Sequence, residues 1–216
     1  LPLFVWMGEI LFRTRLSENL FKGLSPWMQK LPGGLIHVNV VGCALFAAIS
    51  GSSAATVATV GKMSIPELRK RKYPEKILLG SLAGSGTLGL LIPPSIILII
   101  YGVTVQESIA KLFIAGIIPG IMIALIFMSY VIIWSLMNKK DMPKIIEDYS
   151  FLEKIKRSKQ LLPVIILILS VIGSIYSGVA TATEAASLGV VGALILSYFQ
   201  KSLTYKTFKD SLLGAT

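Results

Sequence analysis

Apolar residues in this chain occur in long blocks that short polar segments separate, rather than alternating with polar residues. A membrane β-barrel needs alternating strands, so the blocks favour helices instead. Four blocks, at residues 77–101, 112–137, 161–177 and 185–199, can cross a bilayer or nearly do so, since about 20 apolar residues span its core. The last two are short. The pattern predicts an all-α, polytopic helical membrane protein.

Composition supports this prediction. Of the 216 residues, 54% are hydrophobic and 15% are charged, and the mean hydropathy is +0.75, whereas a soluble domain carries about 25% charged residues. We find no P-loop and no H-E-x-x-H motif, and no G-x-S-x-G motif with plausible His and acid partners, so we expect no enzyme. A single cysteine, Cys43, and a single histidine, His37, suggest neither an internal disulfide nor a zinc site.

The ends of the sequence carry no terminal signal. Leu1 begins an apolar run with no basic region before it, so we expect no signal peptide. The chain ends just after a polar stretch, with no terminal feature. We interpret the sequence as a fragment of a longer protein.

Basic residues indicate the topology. The formal net charge of +10 could suggest nucleic acid as a partner, but all 21 basic residues except Lys111 lie in four clusters between apolar blocks, at residues 13–30, 62–76, 139–159 and 201–209. Short loops rich in Lys and Arg stay on the cytoplasmic side of a membrane. We therefore expect all four clusters to face the cytoplasm and expect no nucleic acid partner.

Residues 31–61 are too few to leave the cytoplasmic side and return as two full crossings, which would need roughly forty residues. Helix-compatible residues at 35–49 and 54–60 flank an interruption at residues 50–53. The segment therefore predicts a re-entrant helical hairpin, whose polar tip is a candidate binding site because irregular backbone at membrane depth must be buried in protein or line a wet cavity. The alternative is a single tilted helix whose small residues serve packing, with the second basic cluster outside.

A second interruption lies at residues 84–95, inside an apolar block. The adjacent Pro93 and Pro94 remove two backbone donors and push Ile92 out of helical geometry, so we predict two half-helices, the second beginning at about Pro94. The carbonyl end of the first suits a small cation such as sodium, and the N-terminal end of the second suits an anion. The alternative is a proline kink that only adjusts packing.

The segments beside these blocks are more polar. Residues 16–30 and 141–160 each predict an amphipathic helix in the cytoplasmic interface, with a solvated loop as the alternative. Thr181 is a possible N-cap, so Glu184 can simply favour a helix start; the alternative is that this carboxylate guides a cation or a partner.

Five motifs together resemble the large membrane subunit of TRAP (tripartite ATP-independent periplasmic) transporters. The resemblance extends over nearly the whole chain. The motifs are residues 31–40, 50–61, 86–95, 112–120 and 178–186.

This resemblance implies a sodium-coupled, elevator-type importer of organic acids in a bacterial inner membrane. In that family a periplasmic substrate-binding protein delivers the substrate and a small membrane subunit braces the large one, and no cofactor other than sodium ions is implied. The chain resembles most of the first of two inverted repeats and the start of the second. The expected divisions are a helix end and interfacial arm at 1–30, a transport core at 31–138 (hairpin 31–61, broken helix 77–103, helix 112–137), a cytoplasmic linker at 139–160 and the second repeat from 161 to 216.

The resemblance also implies site residues. Those matching the family's sodium site are Ser50, Gly51, Ser52, Ser53, Gly89, Ile92 and Pro94. Those expected to contact substrate are Ser52, Ser53, Ala54, Ala55, Thr56 and Thr87. Two positions depart from the family pattern, since many relatives have an acidic residue at Thr56 and proline at Ala182.

Two other functions stay open at this point. A sodium-coupled anion symporter with a similar hairpin would share the ion site but need no binding protein. A non-transporting membrane scaffold would make both interruptions incidental packing features.

Overall fold

The computed structural model describes residues 2–14, 16–143 and 149–215, without the side chains of residues 16–18. Regular structure in these ranges is entirely helical, which confirms the all-α prediction. Part of the predicted linker, residues 144–148, lies outside the described residues. The helices are α1 Pro2–Arg13, α2 Leu16–Met28, α3 His37–Ser50, α4 Ser53–Lys70, α5 Glu75–Gly86, α6 Ile96–Val105, α7 Ile109–Met137, α8 Phe151–Ser158, α9 Leu162–Tyr176, α10 Ala182–Phe199 and α11 Tyr205–Gly214.

Helices α3 and α4 pack against each other as an antiparallel pair. Gly51, in the left-handed conformation, ends α3 and reverses the chain. At the other end of the pair, the Leu35 N–H donates a hydrogen bond of 3.0 Å to the Tyr73 hydroxyl. Helix α4 continues to Lys70, ten residues beyond the predicted 54–60 segment. The added part is amphipathic, since it buries Leu68 in the core and carries charged residues such as Lys62 and Lys70. How deeply this pair enters a bilayer stays a prediction.

Helix α5 packs against both arms of this hairpin. The Asn39 amide of α3 donates hydrogen bonds of 3.1 Å to the Leu78 carbonyl and 3.0 Å to the Ser81 hydroxyl of α5. Because Asn39 is fully buried, these bonds satisfy a donor that would otherwise be costly to remove from water. They connect the first turn of α3 to the middle of α5.

The predicted broken helix is present as two helices with an irregular connection. Helix α5 ends at Gly86, a short 3-10 turn covers Thr87–Leu90, and α6 begins at Ile96. The second helix starts two residues later than predicted because the Ser95 hydroxyl acts as its N-cap, accepting a hydrogen bond of 3.5 Å from the Leu98 N–H.

Helix α7 supports the connection through two glycines one turn apart. A Cβ atom on Gly116 would lie 2.7 Å from the Leu91 carbonyl oxygen, and one on Gly120 would lie 3.0 Å from the Ile92 side chain. Side chains at these positions would push the long helix away, so both glycines allow it to pack directly against the break.

Two of the described helices, α7 with 29 residues and α10 with 18, are long and apolar enough to cross a membrane. Helices α8 and α9 meet the same test as a pair bent by 53°. The apolar segments Gly34–Ser50 and Ile96–Val105 are shorter. Much of the surface of α7 is apolar and exposed, as expected for a protein solvated by lipid.

The predicted helix start at Thr181 is confirmed. Its hydroxyl accepts a hydrogen bond from the Glu184 N–H at 3.4 Å, and the Glu184 carboxylate accepts one from the Thr181 N–H at 2.8 Å. This reciprocal pair is a capping box. Glu184 therefore has a structural role at the start of α10.

Helix α1, which precedes the hairpin in the chain, lies between the hairpin and the C-terminal helices. Helix α1 packs against α10 and α11 on one side and against α3 and α4 on the other. A Cβ atom on Gly8 of α1 would lie 3.0 Å from the Ser50 Cα atom, so α1 contacts the end of α3 at a glycine. Helix α2 covers most of the predicted interfacial segment 16–30, whereas α8 covers only Phe151–Ser158 of the predicted segment 141–160. The Trp27 indole donates a hydrogen bond of 2.7 Å to the Ser158 hydroxyl.

Candidate functional site

The hairpin tip, Ser50 to Ser53, lies directly against the helix break, residues 84–95. The Ile96 N–H donates a hydrogen bond of 3.2 Å to the Gly51 carbonyl. On the other side of the tip, a Cβ atom on Gly89 would lie 2.9 Å from both the Ser52 carbonyl carbon and the Ser53 nitrogen. The two interruptions found in the sequence therefore meet through direct backbone contact.

Glycine is required on both sides of this contact. Gly51 has a φ of +60°, and a Cβ atom there would lie 2.8 Å from the Pro94 carbonyl oxygen. Space and backbone conformation thus both disfavour a side chain at Gly51. Gly89 lacks a positive φ, and there the constraint is space alone.

Hydroxyl groups organise the interior of the tip. The Thr56 hydroxyl donates to the Ser52 carbonyl at 2.7 Å and lies 2.9 Å from the Ser50 hydroxyl oxygen. The Thr56 N–H donates to the same Ser52 carbonyl at 3.0 Å. Thr56 is fully buried, so its side chain and N–H are both engaged in holding the turn.

Other polar atoms at the site are not engaged by the described residues. The hydroxyls of Ser53 and Ser85 are buried without a hydrogen-bond partner. The carbonyl oxygens of Gly89, Ile92 and Pro94 accept no hydrogen bond from the described residues. These three oxygens belong to residues that the family resemblance assigns to sodium.

Four helix ends also meet here. Helix α3 and the 3-10 turn after α5 present carbonyl ends, whereas α4 and α6 begin at the site with their N-terminal N–H groups. Helix ends carry opposite partial charges, negative at the carbonyl end and positive at the N-terminal end. The site can therefore attract a small cation and an anionic group at neighbouring positions without an ionisable side chain.

The residues expected to contact substrate differ in exposure. Ala54 is exposed, as is Thr87, whose hydroxyl donates to the Gly84 carbonyl at 2.7 Å. Ala55 is half-buried, and Thr56 faces the protein interior. Ala54 and Thr87 are thus accessible from outside the chain, whereas Thr56 is not.

The sequence reasoning missed Ser95 and Ser85. The Ser95 hydroxyl donates to the Leu90 carbonyl at 2.7 Å and also caps α6, so it joins the two sides of the break. A serine directly after two prolines is a helix-start signal that could have identified it. We find no comparable signal for the buried hydroxyl of Ser85.

A scan against family models matches residues 1–216 to the family described as "Tripartite ATP-independent periplasmic transporter, DctM component". The chain is 35% identical over 200 residues to the C4-dicarboxylate TRAP transporter large permease protein DctM of Pseudomonas aeruginosa, covering 92% of this chain and 46% of the relative. It is 35% identical to the sialic acid TRAP transporter permease protein SiaT of Haemophilus influenzae, covering 99% of this chain and 34% of the relative.

A third relative is the ectoine/5-hydroxyectoine TRAP transporter large permease protein UehC of Ruegeria pomeroyi, which is 36% identical over 90% of this chain and 45% of the relative. The chain therefore spans about a third to a half of the length of these curated relatives.

Proposed function

Because this chain belongs to the DctM family of tripartite ATP-independent periplasmic transporters, whose members are membrane permeases and not enzymes, we propose that it forms part of a sodium-coupled, elevator-type importer of an organic acid. The observation that carries this proposal is the direct contact between the hairpin tip and the helix break, at Gly51 and Gly89. This contact supports a single site for ion and substrate.

The proposed sodium ligands are neutral oxygens. The carbonyls of Gly89, Ile92 and Pro94 have no hydrogen-bond donor among the described residues, and hydroxyls of the tip lie on the other side of the contact. Hard cations prefer oxygen ligands, and unwound helix segments in secondary transporters provide such oxygens for sodium. Ser50, Gly51, Ser52 and Ser53 complete the proposed set.

The proposed substrate position is the exposed side of the same contact. There the N-terminal end of α4 attracts a carboxylate through the N–H groups of Ser53 and Ala54, while the Ala55 N–H donates to the Ser52 hydroxyl at 3.5 Å. The Thr87 hydroxyl provides a further polar group. Thr56 contributes by positioning Ser52, because its own polar groups are engaged inside the turn.

The partners and location are proposed from the family. We propose a periplasmic substrate-binding protein that delivers the acid, a small membrane subunit that braces the permease, and a bacterial inner membrane as the location. The relatives' names include C4-dicarboxylates, sialic acid and ectoine, so the proposed substrate is the class of organic acids.

Uptake by the full-length permease with its small subunit, reconstituted in proteoliposomes, tests the proposal. Labelled C4-dicarboxylate, sialic acid and ectoine serve as probes. We expect uptake of one probe only when sodium and the cognate binding protein are both present. Uptake without sodium would contradict the coupling, and uptake without the binding protein would favour the symporter alternative.

A double variant, Ser52→Leu with Ser53→Leu, tests the site itself. Two leucines at the tip would fill the contact with the break, so we expect uptake to be lost while membrane insertion persists. The matched control is Ser129→Leu with Ser170→Leu, which makes the same change at exposed positions on α7 and α9 and should retain uptake. Unchanged sodium-dependent uptake in the tip variant would contradict the proposed site.

A further inference from the structure

A basic cavity of about 880 Å³ lies at the far end of the hairpin from the tip. Segments of α1, α2 and α4 line it together with Arg157 of α8 and Lys201 after α10. Six cationic residues are among its described lining: Arg13, Lys22, Lys62, Arg71, Arg157 and Lys201. They come from all four basic clusters of the sequence, which the fold thus brings to one place.

Cationic side chains outnumber carboxylates among the described lining residues of this cavity. Among its described lining residues Glu67 is the only carboxylate, and it pairs with Arg71 at 2.8 Å. Arg13 pairs with Glu9, outside the lining, at 2.9 Å. An excess of like charges around one space raises the local potential and favours an anion there.

Aromatic rings rather than carboxylates hold two of the cations. The Lys62 ammonium lies 5.2 Å from the centre of the Phe12 ring, and the Arg157 guanidinium lies 4.2 Å from the centre of the Tyr149 ring. Within the described part of the chain, Lys62, Arg157 and Lys201 form no ion pair. A cation that packs on an aromatic ring, rather than pairing with a carboxylate, keeps its N–H donors available for a phosphate group.

The surroundings of the cavity fit a lipid headgroup. Helix α2 packs against α8, where the rings of Trp27 and Phe151 meet edge to face at 6.4 Å. Trp27 is 41% and Phe151 66% exposed, and the Lys154 ammonium lies 5.7 Å from the Trp27 ring centre. Exposed aromatics beside lysines are typical of helices at the membrane interface.

We propose that the basic cavity binds the phosphate headgroup of an anionic phospholipid from the cytoplasmic leaflet. Basic pockets on the cytoplasmic side of membrane proteins recognise such headgroups through Lys and Arg. The bound headgroup bridges the α1–α2–α4 side and the α8–α10 side of the cavity, so it stabilises their packing. This site is separate from the proposed transport site and does not depend on sodium coupling or on the substrate.

Lipid titration of the full-length permease tests this inference. The purified protein in neutral detergent is titrated with phosphatidylglycerol, with phosphatidylcholine or with inorganic phosphate, and its melting temperature and retained lipid are followed by thermal denaturation and native mass spectrometry. We expect phosphatidylglycerol alone to raise the melting temperature and to be retained. Equal stabilisation by phosphatidylcholine would overturn the inference, and equal stabilisation by inorganic phosphate would assign the site to a free anion.

The variant Lys62→Gln with Arg157→Gln removes two charges of the cavity. We expect roughly tenfold weaker phosphatidylglycerol binding, as for the loss of strong charge-assisted contacts. The control Lys139→Gln with Lys140→Gln removes two charges from exposed positions after α7 and should bind as the parent does. Equal weakening in both variants would indicate general surface attraction and overturn the site.

A charge-preserving variant, Lys62→Arg with Arg157→Lys, keeps the test decisive if the glutamine variant does not fold. We expect it to retain phosphatidylglycerol in preference to phosphatidylcholine. Loss of that preference in a folded variant that keeps both charges would contradict recognition by the cationic groups.

Discussion

The hairpin tip and the basic cavity lie at opposite ends of the same helix pair and are built in opposite ways. The tip consists of backbone, small side chains and hydroxyls, and it brings Gly51 and Gly89 into contact with facing peptide groups. The cavity is wide and is lined by long cationic side chains from distant segments. The tip should therefore be sensitive to added volume, whereas the cavity should be sensitive to altered charge.

The largest effect is expected from a single methyl group at the tip. Gly89→Ala would place a Cβ atom 2.9 Å from the Ser52 carbonyl carbon, a backbone atom that cannot rotate away. Overpacking of this kind costs about 1–3 kcal/mol and separates the tip from the break, so we expect sodium-dependent uptake to be nearly abolished in proteoliposomes.

Gly80→Ala provides the matched control, in the neighbouring helix α5. A Cβ atom there has no neighbour within 4 Å, and alanine favours a helix over glycine. Uptake and melting temperature should equal or exceed those of the parent. If both alanine variants behave alike, the tip is not limited by volume and the contrast with the cavity is wrong.

A moderate effect is expected where the hairpin joins α5. Asn39→Ala removes two buried hydrogen bonds, to the Leu78 carbonyl and the Ser81 hydroxyl. The Ser81 hydroxyl still donates to the Leu78 carbonyl at 3.0 Å, so we expect the cost of two lost hydrogen bonds, about 0.5–1.5 kcal/mol each. We expect a lower melting temperature of the full-length permease. The sodium concentration for half-maximal uptake should not change, because Asn39 lies away from the tip.

A change in that sodium concentration would show that the middle of the hairpin helps to form the ion site. The ion site would then extend from the tip into the supporting helices. Ser129→Ala, which removes an exposed hydroxyl on α7, is the control for the loss of a polar group and should leave both quantities unchanged.

The smallest effect is expected from a charge that belongs to neither region. Arg69 donates to Glu75 at 2.6 Å and thereby holds the pKa of that carboxyl below its usual value. The ion pair stabilises the fold fully at pH values above the ordinary pKa of the carboxyl. This stabilisation is lost as the pH falls through the lowered pKa of the folded state. Because both side chains are exposed, Glu75→Gln should not measurably change the melting temperature at neutral pH.

A decrease in melting temperature comparable to that of Asn39→Ala would contradict this expectation. It would mean that exposed charge also contributes to the stability of the hairpin. The charge-sensitive region would then extend beyond the basic cavity.

Local signals predicted much of the fold. The Ser-Gly turn predicted the end of α3, the paired prolines predicted the break before α6, and Thr181 predicted the start of α10. These features depend on residues close to one another in sequence, where propensity and capping decide the structure. The start of α6 was misplaced by two residues because the capping role of Ser95 was overlooked.

The contacts between segments could not be predicted in the same way. The residues near Gly51 and Gly89 were assigned to one site by resemblance, but the approach of Gly89 to the Ser52 backbone depends on how α5 packs against the hairpin. The basic clusters predicted a shared face of the membrane. Their convergence on one cavity depends on long-range packing of α1, α2, α4 and α8.

The hydrogen bond between the Leu35 N–H and the Tyr73 hydroxyl connects the two arms of the hairpin at the end opposite its tip. Together with the Gly51–Ile96 bond at the tip and the Asn39 bonds between them, it connects both ends of the pair to neighbouring segments. In the elevator-type importer proposed above, such a unit would move through the membrane as a rigid body, so a solute at the tip would change sides by being carried rather than by the tip opening as a gate.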